Sequence, residues 1–170
     1  MTIEHLFDYN RAMIASPEKA HKTGRRAEVQ TLVAVVPCGG NRGLAGIKID
    51  GLTHSSSGGE YFVPFTVGKD ASPREYSYAG LTAAIERLRA LHVERTLIVV
   101  DDDELVAELE RRAEPPHELF LNYIILGCRL NEFRRARVVS AKSSRLEELH
   151  AKTQSLAATI YNVPLLAPAM

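Results

Sequence analysis

The sequence predicts an α/β domain: a mixed five-stranded sheet flanked by helices, in the order β-β-β-α-β-α-α-β-α, with an amphipathic helix before it. Three strand-like segments in a row, TLVAVV, GIKIDG and EYFVPFTV, are joined by the glycine- and serine-rich turns GGNRG and HSSSGG, as in an antiparallel meander. Two later β-branched segments, TLIVV and RARVVSA, are separated by stretches of helical period, which implies parallel strands with helical crossovers. Capping signatures, a serine or aspartate just before a helical pattern, mark where the helices begin. A length of 170 residues, 45% of them hydrophobic, suffices for one domain with a real core.

Residues 2–15 place Ile3, Leu6, Phe7, Met13 and Ile14 on one helical stripe, the amphipathic helix of the N-terminus. Ser16-Pro17-Glu18 and the polar, glycine-broken KTGRRAE form a linker to about residue 29. The domain proper spans 30–162. Its first strand is a continuous apolar run, as expected when both faces are covered, whereas the next two alternate. Ser72-Pro73-Arg74-Glu75 opens a helix with a capping box, and Leu81, Ala84, Ile85, Leu88 and Leu91 carry it to about His92. TLIVV ends in Asp101, Asp102 and Asp103, which cap a helix carrying Leu105, Val106 and Leu109. Pro115-Pro116 breaks that helix, LFLNYIILGCRLNEF makes another, and Ser144-Arg145-Leu146-Glu147 reads as a second capping box opening a helix to about Tyr161. A tail of residues 163–170 follows.

This succession resembles the ribonuclease H family across residues 30–160. GNRGLAG at 40–46 is similar to that family's turn between the first two strands, YAGLTAAIERLRAL to its first helix, and VVDDDELV to its strand-ending aspartate segment. The resemblance implies cleavage of the RNA strand of an RNA–DNA hybrid, with carboxylates holding two divalent ions. Such hard cations require oxygen ligands, so each carboxylate lost removes both a ligand and neutralising charge. Matched to the family, the first aspartate falls on Val35 and the first-helix glutamate on Gly80, so both positions are lost. Asp102 keeps the third. For the fourth, a gap-free count gives Glu148, which is preferred because it needs no insertion, and a match to later text gives Gln154. Asp102 and Glu148 are thus vestigial catalytic and metal-binding candidates. Three aspartates at a helix start also serve simply as cap and dipole partners.

The resemblance therefore points to a domain that has lost hybrid cleavage and serves as a binding or assembly module. One alternative is an active nuclease with a rearranged set, Asp102 and Glu148 with Asp50 or Glu75. Another is a protein-interaction or dimerisation module using residues 1–15. No cofactor is expected, and Mg²⁺ or Mn²⁺ enters only with residual nuclease activity. The nucleic-acid partner would be an RNA–DNA hybrid or double-stranded RNA.

Charge gives no global pull toward nucleic acid, because 21 basic residues balance 21 acidic ones. A local basic group does: Arg134, Arg135, Arg137, Lys142 and Arg145 surround the last strand and are the nucleic-acid-binding candidates. No aromatic residues interleave them, which argues against a single-strand stacking platform. The glycines at 39, 40, 43 and 46 spell neither a dinucleotide fingerprint nor a Walker loop. Ser55, Ser56 and Ser57 lack a nucleophile elbow and read as a hairpin tip. Histidines 5, 21, 54, 92, 117 and 150 show no ligand spacing, although His150 adjoins Glu147 and Glu148 in the helix. Cys38 and Cys128 follow no metal or redox spacing, so a reduced, cytoplasmic protein is expected, with Cys38 a small buried thiol. No apolar stretch is long enough to cross a membrane.

Overall fold

The computed structural model describes residues 28–50 and 59–161. The expected N-terminal helix, nearly all of the linker, the serine-rich hairpin tip and the tail lie outside the described residues. The elements are β1 Val29–Gly39, β2 Arg42–Asp50, β3 Gly59–Thr66, α1 Pro73–Ala90, β4 Arg95–Val100, α2 Asp103–Leu109, α3 Phe120–Asn131, β5 Arg135–Ser140 and α4 Ser144–Tyr161. A single 3₁₀ turn, His117–Leu119, leads into α3. The sheet order is β3-β2-β1-β4-β5. β1 pairs antiparallel with β2, and β2 with β3, whereas β1 with β4 and β4 with β5 run parallel.

Tight turn chemistry sets the first hairpin. Gly39, Gly40 and Asn41 all have positive φ, at 74°, 56° and 63°. A two-residue hairpin of this hand needs left-handed residues, which glycine and asparagine tolerate.

β1 is apolar from Leu32 to Val36 because helices cover both its faces. Val33 joins Ile47, Ile49, Tyr78, Leu81, Ile85 and Leu88 beneath α1. Leu32 and Ala34 face the other way and meet Leu146 and Leu149 of α4. Between β1 and β4 the buried Thr31 and Thr96 hydroxyls satisfy each other at 2.9 Å.

The helix starts follow their capping residues with two corrections. Ser72 Oγ accepts from the Glu75 backbone N–H as expected, but the Glu75 carboxylate accepts from Gly68 N–H at 3.3 Å instead of closing the box. At α4 the cap is Ser143, one residue before the expected Ser144: its Oγ accepts from the Leu146 N–H, which frees Ser144 to enter the first turn. Asp102 caps α2 as anticipated, accepting from Leu105 N–H at 2.9 Å. α1 ends at Ala90, short of His92, which takes a left-handed φ of 57°.

One mismatch of strand lengths positions the site. β1 pairs with β2 as far as Gly39, yet with β4 only from Val29 to Leu32. Beyond Leu32, among the described residues, no strand pairs with the β4-facing edge of β1, and a cleft opens there.

Candidate active-site cleft

The cleft encloses about 340 Å³ between the upper part of β1, the end of β4, and helices α1, α2 and α4. Val33, Val35, Leu81, Val100, Leu105 and Leu146 supply its apolar surface. Ser77, Asp101, Asp102, Glu147, His150 and Gln154 supply polar groups. Clefts at the carboxyl ends of strands in α/β sheets are common ligand sites.

Val35 and Gly80 meet at this cleft. A Cβ built on Gly80 would lie 2.5 and 2.6 Å from the two γ-carbons of Val35. The valine therefore occupies the room that any side chain at position 80 would require. Packing of this closeness leaves no volume for a carboxylate on α1 unless Val35 yields.

Asp102 lines the cleft, and its Oδ1 is doubly engaged. It accepts from Leu105 N–H and from Arg74 Nη1, each at 2.9 Å. The same guanidinium places Nη2 2.5 Å from Glu108 Oε2, which also accepts from the Tyr78 hydroxyl at 2.5 Å. Glu108 and Tyr78 are buried. Burial pushes the Tyr78 phenol far above its usual range, and the hydrogen bond to the Glu108 carboxylate pushes it further. Arg74, Tyr78 and Glu108 were invisible in the sequence pattern, because Arg74 and Glu108 meet across 34 positions and no local spacing announces the pair.

α4 turns two faces to two environments. Glu147, His150, Ala151 and Gln154 line the cleft. Glu148 is not part of that lining; it pairs with Lys152 at 3.2 Å, and Lys152 with Glu60 at 3.3 Å. Of the two residues weighed for the fourth carboxylate position, the cleft holds Gln154. Burial pushes the Glu60 carboxyl up, but its bonds to Lys152 and Lys48 outweigh that and leave it below its ordinary value.

The rearranged set Asp102, Glu148 with Asp50 or Glu75 is not brought together. Asp50 pairs with Arg145 at 2.5 Å and Glu75 bonds to Gly68, while Glu148 pairs with Lys152. Among the described residues no three His, Cys, Asp or Glu side chains gather where a metal ion could be held. An apolar pair at positions 35 and 80 and an amide at 154 do not fit two hard divalent ions, which require anionic oxygen ligands.

The basic candidates separate as well. Lys142 lines the cleft and Arg145 is tied to Asp50. Arg135 lies 3.6 Å from Glu28, and Arg134 and Arg137 are exposed at the β5 edge of the sheet. Cys38 is buried as expected, its thiol pushed up by burial and its Sγ 3.4 Å from the Val36 carbonyl; Cys128 is exposed, and both are free.

Sheet order, crossovers and the placement of the cleft define a ribonuclease H-like α/β domain. Solved structures of RNase H1 enzymes share it. The RNase H1 of the archaeon Halobacterium salinarum NRC-1 superposes with a TM-score of 0.57 at 17% identity, covering 71% of this chain and 90% of that one. The N-terminal RNase H domain of a Mycobacterium tuberculosis protein gives 0.57 at 19% identity, covering 78% and 99%. A metagenomic enzyme from compost, LC11-RNase H1, solved in complex with an RNA/DNA hybrid, gives 0.54 at 13% identity, covering 76% and 99%. At these identities the likeness establishes the fold. No protein-family model and no curated protein matches the sequence. No helix among the described residues is long and apolar enough to cross a membrane.

Proposed function

We propose that this chain is a cytoplasmic ribonuclease H-like domain that has lost metal-dependent cleavage of RNA–DNA hybrids and acts as a nucleic-acid-binding module. The observation that carries the reading is Val35 seated on Gly80, at the two positions where the family resemblance expects carboxylates. Two-metal hydrolysis needs those ligands to bring a water and the leaving oxygen under positive charge. Asp102, the carboxylate retained, is taken up by Arg74 and by the cap of α2. Free Cys38 and Cys128 agree with a reducing compartment.

The test is a sensitive cleavage assay on an RNA–DNA hybrid with Mg²⁺ and with Mn²⁺. The wild-type chain should release no more product than the Asp102→Asn variant. Turnover that Asp102→Asn abolishes would overturn the proposal.

Assembly is a second reading, favoured by Phe120, Leu121 and Ile125, large apolar side chains exposed along α3. It predicts a solution mass above that of one chain, reduced by Leu121→Glu or by deleting residues 1–15.

A further inference from the structure

We propose that the β4–β5 half of the sheet, on the face α4 leaves open, binds the phosphodiester backbone of a double-helical nucleic acid through Arg95, Arg135 and Arg137. This rests on the nucleic-acid reading above and moves the contact away from the cleft.

The parallel register sets Arg95 beside Arg135 and Leu97 beside Arg137. Ala136 and Val138 pack into the core beneath α1 and α3, and Val139 into the cluster beneath α4. Strand alternation therefore sends Arg135 and Arg137 to the α4 side. Val99 and Leu32 belong to that same cluster, so Arg95 and Leu97 share the face. α4 lies mainly over β1 and β2 and reaches Val99 and Val139, and Arg135 and Arg137 stay exposed. Arg134 immediately precedes β5.

Chemistry selects the ligand. Arg95 and Arg135, side by side on neighbouring strands, repel each other, and an arriving phosphate relieves that repulsion. Glu28 answers Arg135 alone, at 3.6 Å, and among the described residues no carboxylate pairs with Arg95, Arg134 or Arg137. Guanidinium forks suit phosphate oxygens. Successive same-face residues of a strand are about 7 Å apart, close to the spacing of phosphates along one nucleic-acid strand. No aromatic ring lies on the β4 or β5 strands, so the face offers no platform for unpaired bases and reads the backbone of a duplex. The cleft at the opposite strand ends carries Asp101 and Glu147, which repel phosphate when no metal bridges them.

The experiment measures anisotropy of short labelled duplexes (RNA–DNA hybrid, double-stranded RNA and double-stranded DNA) with the full chain across a salt series. The triple variant Arg95→Gln/Arg135→Gln/Arg137→Gln should lose at least about tenfold in affinity at low salt and flatten the plot of log K against log salt by about 2–3 units. The single variant Arg137→Gln, at an exposed position, should show a smaller loss in the same direction and keeps the test valid if the triple variant misfolds. The relative affinities of the three duplexes identify which helix the face prefers. Binding that survives the triple substitution and is lost in Lys142→Gln would overturn this inference and leave the nucleic-acid reading standing. Absence of binding to every duplex at low salt would overturn both. Tighter binding of polyglutamate than of every duplex, at equal charge and salt, would instead assign the face to an acidic protein. A solution mass that falls in the triple variant would assign it to a second copy of the chain.

Discussion

Where β4 ends beside residues 33–35 of β1, Asp101 and Asp102 line a cleft with an apolar floor. At the N-terminal ends of β4 and β5 the chain gathers the half-buried Arg95 with Arg134 and Arg135, which are exposed among the described residues. In the first region Asp102 and Glu108 are claimed by Arg74, and Val35 fills the space over Gly80. In the second, among the described residues, Glu28 pairs with Arg135 alone. Groups that satisfy one another stabilise a fold, whereas groups left facing water remain free to meet a ligand. The contrast is why the proposals above part the two: the cleft is packed where the family resemblance expects metal ligands, and the exposed arginines lie at the other ends of the strands.

The largest effect should come from the satisfied end. Arg74→Met strands the buried Glu108 carboxylate, and loss of one partner of a buried ion pair costs about 3–5 kcal/mol; urea unfolding measures it. Arg95→Met at the open end, by the same measurement, should fall within about 0.5 kcal/mol of wild type.

Next comes the packing of the cleft floor. Gly80→Ala drives a methyl into Val35, an overpacking cost of about 1–3 kcal/mol that better helix propensity offsets by about 1. Val35→Ala in the same chain should remove that clash, so the double variant is more stable than the sum of the two singles predicts. Additivity would mean that the two residues do not share one space.

A pH profile sharpens the account of Tyr78. Its folded phenol titrates above the unfolded value of about 10, so above pH 10 the unfolded chain binds fewer protons than the folded one, and stability falls as pH rises. Tyr78→Phe should flatten that alkaline decline. The smallest effect belongs to Glu148→Gln, which breaks an exposed pair on the far face of α4 and should change stability by less than about 0.5 kcal/mol and hybrid cleavage not at all.

Much of the fold was legible in the chain because its signals are local. The unbroken apolar run of β1 announces a doubly covered strand, and Gly39, Gly40 and Asn41 announce the hairpin. Where the reading missed, distance or phase was responsible. Arg74 meets Asp102 across 28 positions and Glu108 across 34, and Arg95 joins Arg135 only through the parallel register. Glu148 and Gln154 could have been told apart by helical phase. The buried stripe Leu146, Leu149, Thr153 and Ala157 fixes the sheet-facing side of α4, which sets Gln154 beside Glu147 and His150 on one flank and Glu148 beside Lys152 on the other.

The proposed function requires that Val35 packed on Gly80 leave no metal site in the cleft. Crystals soaked in Mn²⁺ test it most directly through the anomalous scattering of the metal. The expected result is Val35 seated on Gly80 and no anomalous peak at the Asp102 carboxylate. A Mn²⁺ ion coordinated by Asp102 together with a second carboxylate would contradict it.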